Sequence, residues 1–202
     1  ACAPYRRLSL CNKNLVKMDT NNNDGKAKHD LLAEVCYAAK YEGESITQNH
    51  GKYQLSYPGS QICTMLARSF ADIGDIIRGK DLYLGNNKKD KLQIKLKEYF
   101  KKIYEQLDRS IRSKYDETSE NYFQLREDWW TANRETVWKA MTCSDDLNNS
   151  SYFHATCDSG DGRGGAQARN QCRCPNGKNA DQVPTYFDYV PQYLRWFEEW
   201  AE

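Results

Sequence analysis

Eight cysteines in a chain of 202 residues are the feature that most restricts how this sequence folds. Four precede residue 64, four follow residue 142, and none lies between. An even number of cysteines in a polar chain indicates disulfide bonds and an oxidising compartment. The grouping favours two separately bridged sets, with three connectivities each, instead of the 105 open to eight cysteines that pair freely. The predicted disulfide cysteines are Cys2, Cys11, Cys36, Cys63, Cys143, Cys157, Cys172 and Cys174.

Composition indicates a folded protein with an extensive polar surface. Hydrophobic residues make up 39% of the chain and charged residues 28%, and 14 Tyr and 5 Trp argue against disorder. The net charge of +1 provides no overall field for nucleic acid or a membrane surface, so we predict neither as a partner. No apolar run approaches the roughly 20 residues that span a bilayer. Cys2 near the start and a helix reaching Glu202 indicate a fragment of a longer chain.

Helical periodicity dominates the apolar pattern, which predicts a mainly α fold with long irregular loops. The first predicted helix covers residues 29–41, and residues 42–59 read as a loop. The second begins at Ser60 as N-cap and ends at Gly79, a residue type that favours helix ends. Three more are predicted over residues 90–114, over residues 119–141, and from Pro191 onward with Leu194, Phe197 and Trp200. The five tryptophans are predicted to pack in the core.

Residues 143–182 differ from the rest of the chain, because they are rich in Asn, Asp, Ser and Gly and contain four cysteines. Such a segment cannot form a core alone, so we predict a long loop held by disulfides. A zinc site is the alternative, since His154, Cys157, Cys172 and Cys174 could ligate a metal tetrahedrally. The favoured interpretation remains disulfides, with no metal and no cofactor.

Enzymatic motifs are weak. A Cys/His nucleophile pair has candidates in His29, His50 and His154, but none lies in a catalytic motif. The glycine-rich residues 162–165 lack the Lys-Ser/Thr of a phosphate-binding P-loop. We therefore predict that the chain is not an enzyme.

Residues 86–114 carry eight Lys and two Arg against two Asp and two Glu, a local charge of +6. On one continuous helix, several of these cations flank the apolar face, and such a stripe can hold a polyanion by counterion release. A solvated surface is the other interpretation, because Glu98–Lys102 and Glu105–Arg109 have favourable i,i+4 spacing. The candidate glycan-binding residues are Lys88, Lys89, Lys91, Lys95, Lys102 and Arg109.

Several blocks of sequence resemble a known family. Residues 2–11 are similar to the opening cysteine motif of Duffy-binding-like domains, and residues 32–43 to the next block. Residues 67–83 (ARSFADIGDIIRGKDLY) resemble the block typical of the alpha class, and residues 126–130 and 190–200 complete the pattern. Together the blocks identify the chain as a fragment of an alpha-class domain of the variant antigens called Plasmodium falciparum erythrocyte membrane protein 1.

The resemblance implies a disulfide-bonded helical bundle and a function in host-cell adhesion. Such domains lie on the extracellular face of the infected erythrocyte membrane and bind host receptors, or sulfated and blood-group glycans, in cytoadherence and rosetting. Antibodies and neighbouring domains of the same long chain are further implied partners. The alternative is a structural spacer that supports a neighbouring receptor-binding domain.

The resemblance also implies a division into subdomains. Residues 1–85 correspond to a partial first subdomain without its N-terminal segment. Residues 86–202 correspond to a helical second subdomain that contains the disulfide loop 143–182. The family's third subdomain is expected to be absent from this chain.

Overall fold

The computed structural model describes residues 2–19, 25–59, 61–83, 88–115, 121–158, 165–175 and 182–201, with the backbone alone at 88–90 and 158. The described fold is mainly helical, as predicted, with one short two-stranded antiparallel sheet and two disulfides. The helices are α1 (Tyr5–Leu8), α2 (Lys13–Val16), α3 (Ala27–Ser56), α4 (Ile62–Arg78), α5 (Lys88–Gln106), α6 (Arg109–Arg112), α7 (Phe123–Met141) and α8 (Gln192–Ala201). The strands are β1 (Cys157–Asp158) and β2 (Gly165–Ala166).

Helix α4 is the central element of the fold, and most of its residues are buried. Its Phe70 ring lies 5.0 Å from the Trp130 ring and 5.2 Å from the Trp138 ring of α7. Gly79 ends the helix, as predicted, with φ +74°, while the Lys80 amide donates to the Asp75 carbonyl at 2.8 Å. The predicted N-cap Ser60 lies outside the described residues.

Helix α3 is much longer than predicted, because it continues through residues 42–56 instead of ending at residue 41. The buried face of this second half includes Glu42, Ile46 and His50, so polar residues interrupt the apolar pattern. Glu42 is satisfied inside the protein by the Cys11 amide at 2.9 Å and the Ser69 hydroxyl at 2.7 Å. Gly43 contacts the backbone of Met141 so closely that a Cβ atom would lie 2.0 Å from its carbonyl oxygen. The predicted loop was therefore wrong.

The predicted 25-residue basic helix is broken into α5 and α6. Asp108 adopts an extended backbone with ψ 145° and its carbonyl accepts the amides of Ile111 and Arg112. The Arg112 guanidinium reaches back to the Glu105 and Leu107 carbonyls at 2.6 and 3.2 Å, which satisfies the exposed end of α5. The apolar stripe therefore ends at Leu107, and Ile111 is exposed.

Helix α8 begins where predicted but buries the opposite face. Gln192, Arg195 and Trp196 are buried, whereas Leu194, Phe197 and Trp200 are 45–72% exposed. The buried polar groups of α8 pair with carboxylates of α4, which explains why the face carrying Leu194 and Phe197 is not the buried one. Four of the five tryptophans are buried as predicted, and Trp200 is the exception.

One of the two disulfides connects the early and late groups of cysteines, which were predicted to be bridged separately. Cys63 of α4 is bridged to Cys172 with a Cα–Cα distance of 5.6 Å, and Cys157 is bridged to Cys174 at 5.5 Å. The prediction of two separately bridged sets was therefore wrong. Pairing requires Cα atoms within about 7 Å, a condition that the fold sets and that a count of cysteines does not reveal. The cysteines that are free thiols in this structure are Cys2, Cys11, Cys36 and Cys143.

The described part of the predicted loop 143–182 (residues 143–158, 165–175 and 182) is irregular, as expected, apart from a 3₁₀ turn at Asp145–Leu147 and the β1–β2 pair. The buried apolar side chains form one cluster, whose first and last members in the sequence are Leu10 and Val183. The predicted subdomain boundary at 85/86 falls within residues 84–87, outside the described residues, so that division remains a prediction.

The register of α8 predicts opposite effects for two adjacent residues. Trp196→Ala should lower the free energy of unfolding by about 3–5 kcal/mol, because it removes a large side chain that is 2% exposed. Phe197→Ala should change it by less than about 0.5 kcal/mol, since this ring is 72% exposed. Urea denaturation of both variants measures the difference, and equal losses would contradict the observed register.

The two disulfides should contribute unequally to stability. Replacing Cys63 and Cys172 by Ala opens a loop of 109 residues, for which chain entropy gives a loss of about 4.7 kcal/mol. Replacing Cys157 and Cys174 opens a loop of 17 residues, for which the loss is about 3 kcal/mol. Denaturation measures the ranking, and peptide mapping of the native chain checks the pairing. Cysteines paired only within residues 2–63 and within 143–174 would refute it.

Candidate functional site

Among the predicted glycan-binding cations whose side chains are described, Lys91, Lys95, Lys102 and Arg109 do not form one continuous stripe. Lys91 is exposed on α5, but Lys95 is partly buried and its Nζ donates to the Met18 carbonyl at 2.7 Å. Lys102 is also partly buried, and Arg109 lies beyond the helix break, on α6. The side chains of the other two predicted residues, Lys88 and Lys89, lie outside the described residues. Of the predicted cations on α5 whose side chains are described, Lys91 is therefore the exposed one.

Helix α5 instead brings Lys91 to a cleft that it forms with α1, α2 and the segment after α4. The cleft has a volume of about 480 Å³. Lys13 of α2 and Lys17, the residue that follows α2, lie on it together with Lys91, and its apolar lining includes Leu10 and Leu92. Three lysines around an apolar floor make a site suited to an anionic ligand with an apolar component. Sequence reasoning missed Lys13 and Lys17, because more than 70 residues separate them from Lys91.

An ion pair fixes the wall of this basic cleft. The Arg7 guanidinium contacts the Asp81 carboxylate at 2.5 Å, and its carbon lies 4.9 Å from the centre of the Tyr83 ring. The Gln192 amide of α8 donates to the same Asp81 carboxylate at 2.9 Å. Both charged side chains are at most 6% exposed, so they position the cleft instead of projecting into solvent.

Buried ionic contacts join α4 to α1 and α8. Asp72 accepts from Arg6 of α1 at 2.7 Å and from Arg195 of α8 at 2.8 Å, with the Gln192 amide and the Trp196 indole at 3.1 and 3.3 Å. Arg6 also forms a two-bond contact with Glu199 at 2.9 and 2.8 Å. Burial alone would raise the pKa of Asp72, but Arg6 and Arg195 hold it below its usual value.

A second carboxylate of α4 behaves in the opposite way. Asp75 accepts from Arg195 at 2.6 Å and from Arg78 at 2.9 Å. Burial nevertheless raises the pKa of Asp75, and the negative charge of Asp72 adds to this effect. The pKa values of these two carboxylates, one helical turn apart on α4, are therefore shifted in opposite directions.

A third carboxylate connects α7 to the segment before α8. Asp188 accepts two bonds from the Arg134 guanidinium, both at 2.7 Å, and one from the Trp130 indole at 2.9 Å. Arg78 of α4 donates to the Asp188 carbonyl. These contacts order the segment that leads to α8.

The alternative zinc site is excluded by the bonding of its cysteines. Cys157, Cys172 and Cys174 are all in disulfides, whose sulfur atoms are not thiolate ligands, and His154 is exposed beside Phe153. The described residues contain no group of three or more His, Cys, Asp or Glu side chains placed to hold a metal ion.

Two of the free thiols, Cys11 and Cys36, lie in surroundings that disfavour a nucleophilic thiolate. Burial and the nearby Glu42 carboxylate raise the pKa of Cys11 to about 11, so the reactive thiolate is disfavoured at neutral pH. Burial also raises the pKa of Cys36. Neither thiol therefore supports the Cys/His catalytic alternative. Of the glycine-rich segment weighed as a phosphate site, residues 162–164 lie outside the described residues.

The chain is similar to parasite receptor-binding domains over nearly its whole length. A family profile described as Duffy binding domain matches residues 1–195. The Duffy receptor of Plasmodium vivax (strain Salvador I) is 29% identical over 152 residues, which make up 71% of this chain and 12% of the receptor. None of the described helices is long and apolar enough to cross a bilayer.

Two solved structures have the same fold. The NTS-DBL1(alpha-1) domain of the Plasmodium falciparum protein PfEMP1, varO strain, is 44% identical with a TM-score of 0.79, and the match covers 100% of this chain and 43% of that one. A PfEMP1 DBLb domain bound to human ICAM-1 is 33% identical with a TM-score of 0.70, and the match covers 98% and 39%. The chain therefore spans less than half the length of each of these relatives.

The two α4 carboxylates predict opposite pH dependences. Because Asp72 has a lowered pKa, its contribution is present above about pH 4 and is lost as the pH falls through its folded value. Asp72→Asn should therefore cost about 3–5 kcal/mol at pH 7, and this cost should shrink as the pH decreases. Urea denaturation at a series of pH values measures the slope.

Asp75→Asn is the matched control, since Asp75 contacts the same Arg195. Its raised pKa means that its contribution is present at low pH and is lost as the pH rises through its folded value. The difference between the wild type and this variant should therefore be larger at low pH. Slopes of the same sign for both variants would contradict the assignment.

Proposed function

Because this chain belongs to the Duffy binding domain family, whose profile matches residues 1–195, we propose that it is a host-cell adhesion module of a Plasmodium surface antigen. The support is its similarity over 98% of its length to a PfEMP1 domain that binds human ICAM-1. Its proposed location is the extracellular face of the infected erythrocyte membrane. Its proposed partner is a host-cell surface receptor or glycan, bound without catalysis.

A sulfated glycan is the ligand class that the basic cleft supports best. Lys13, Lys17 and Lys91 present three positive charges around one concave surface. Clustered cations bind a sulfated polyanion by releasing its counterions, which makes affinity fall steeply with salt. The single observation that carries this proposal is the convergence of α2 and α5 lysines at the cleft. Binding of this kind would serve rosetting, in which red cells are captured, and a blood-group sugar is a further ligand to examine.

This proposal changes the set of glycan-binding residues predicted from the sequence. Lys91 remains at its centre, and Lys13 and Lys17 join it. Lys95 is better assigned a structural role, because its ammonium group is bonded to the Met18 carbonyl. Substitution of Lys95 would therefore confuse a loss of binding with a loss of folding.

Charge reversal at the cleft should weaken heparin binding. Lys13→Glu combined with Lys91→Glu should elute from a heparin column at markedly lower salt than the wild type, because two cations that would contact sulfate groups are lost. Each lost contact should reduce the steepness of log affinity against log salt concentration by about one unit. Elution in a salt gradient measures glycan binding, and capture of red cells on beads coated with the chain measures cell adhesion.

Lys52→Glu provides the matched control. Lys52 is an exposed residue of α3, eighteen residues beyond Glu34, whose carbonyl accepts from Asn14 of α2 at 2.8 Å. Eighteen helical residues span about 27 Å, so this change alters the net charge without altering the cleft. The cleft variant reverses two lysines and the control reverses one, so a control shift half as large as that of the cleft variant would show that the net charge, and not the cleft, governs retention.

A structural spacer is the second candidate function, and the outer face of α8 favours it. Tyr193, Leu194, Phe197 and Trp200 expose 45–72% of their surface on this short helix. The Tyr5 ring extends the same face, 6.1 Å from the Trp200 ring. Contiguous exposed aromatic residues are typical of surfaces that contact another protein or domain. A folded chain that captures no red cells and binds no glycan would favour the spacer over the adhesion module.

A further inference from the structure

A second cleft lies on a different part of the molecule, between the end of α7 and the disulfide-bonded loop. Its volume is about 940 Å³, near the upper end of the range for small-molecule sites. Its cationic lining residues are Lys139, Arg169 and Arg173, and no carboxylate occurs among the described residues that line it. A cleft with three cations and no described acid favours an anionic occupant. We call it the loop cleft.

The floor of the loop cleft is rigid. Gln171 and Cys172 are consecutive non-glycine residues with φ of +49° and +50°, a conformation that persists only where the surroundings enforce it. The Cys63–Cys172 and Cys157–Cys174 disulfides restrain this turn from two sides. The Trp138 indole donates to the Cys172 carbonyl at 3.1 Å, and the Cys172 amide donates to the Ser150 carbonyl at 3.0 Å. A site built on such a floor loses little conformational entropy when it binds.

Arg173 is fixed in the wall of the loop cleft by the end of α7. Its Nε donates to the Thr142 hydroxyl at 2.8 Å, and one terminal nitrogen donates to the Lys139 and Thr142 carbonyls at 2.8 and 2.9 Å. Burial lowers the pKa of Arg173, although nearby Cys143 opposes this effect. The guanidinium thus satisfies helix-end carbonyls while adding a positive charge to the wall.

Arg169 is the cation that remains available to a ligand. It is exposed, and it makes no hydrogen bond or ion pair with the described part of the chain. Lys139 lies on the same cleft and pairs with Glu135, one helical turn away, at 3.0 Å. The Arg169 guanidinium can therefore bind a planar carboxylate or a sulfate through two parallel hydrogen bonds.

The remaining lining favours a sugar. Gln167, Asn170 and Gln171 supply amides, which both donate and accept hydrogen bonds as hydroxyl groups require. The described apolar lining consists of small residues, so it offers no deep pocket for the large apolar anchor of a peptide. We propose that the loop cleft binds an acidic oligosaccharide through Arg169, a second glycan site separate from the basic cleft. The inference deepens the proposed adhesive function by assigning it another site and a ligand class.

Calorimetric titration of the whole chain tests this site with defined probes. A heparin-derived tetrasaccharide and 3′-sialyllactose distinguish sulfate from carboxylate recognition, and lactose is the neutral reference. At least one acidic saccharide should bind, lactose should bind much more weakly, and Arg169→Ala should weaken the acidic ligand about tenfold or more. Since Arg169 is exposed and without described partners, this variant should keep the wild-type circular dichroism and melting temperature.

Lys91→Glu separates this inference from the proposed function. This variant should reduce heparin-column retention but leave Arg169-dependent saccharide binding unchanged, so either site can fail while the other stands. The loop-cleft proposal is overturned if neither acidic saccharide binds, if lactose binds equally well, or if Arg169→Ala binds like the wild type. Tighter binding of a hexaglutamate peptide than of both acidic saccharides, with the same dependence on Arg169, would also overturn it in favour of an acidic protein partner.

Discussion

The buried carboxylate of Asp72 is the interaction on which the arrangement of this fold depends. It lies in the middle of α4 and binds Arg6 of α1 and Arg195 of α8, so it joins residues near the two ends of the described chain to the central helix. Such a buried network adds little net stability compared with apolar packing, but removing one partner leaves an uncompensated charge. Its effect is therefore to specify which faces pack together. The outward face of α8 follows from that specification.

One disulfide acts at the start of α4 and has a complementary role. Cys63, near the start of α4, is bridged to Cys172, so an irregular segment that cannot form a core alone is attached to the most buried helix. Trp138 and Arg173 then order the attached loop through the end of α7. The Asp72 ion pairs therefore position α1 and α8 on α4, and the Cys63–Cys172 disulfide positions the loop. As a result, two basic clefts of different construction lie on one helical scaffold, one between helices and one against the loop.

The two proposed glycan sites differ in the cations that line them. The basic cleft has lysines, which are flexible point charges and suit long, irregular polyanions. The loop cleft has arginines on a rigid floor and suits a defined acidic group. Because the contacts of Asp72 are buried in this chain, exposed residues such as Lys91 and Arg169 can be substituted without disturbing them.

The sequence by itself determined the mainly helical class, the end of α4 at Gly79, the family and the use of disulfides, because apolar periodicity, turn chemistry and motif blocks are local properties. The tertiary structure decided the length of α3, the break at Asp108, the buried face of α8 and the cysteine pairing. In the second half of α3 and in α8, several buried positions are occupied by charged or polar residues such as Glu42 and Arg195, so the apolar pattern did not indicate them. Their burial is favourable only beside partners that lie far away in sequence, and both clefts are likewise assembled from distant segments. Only the folded chain brings these groups together.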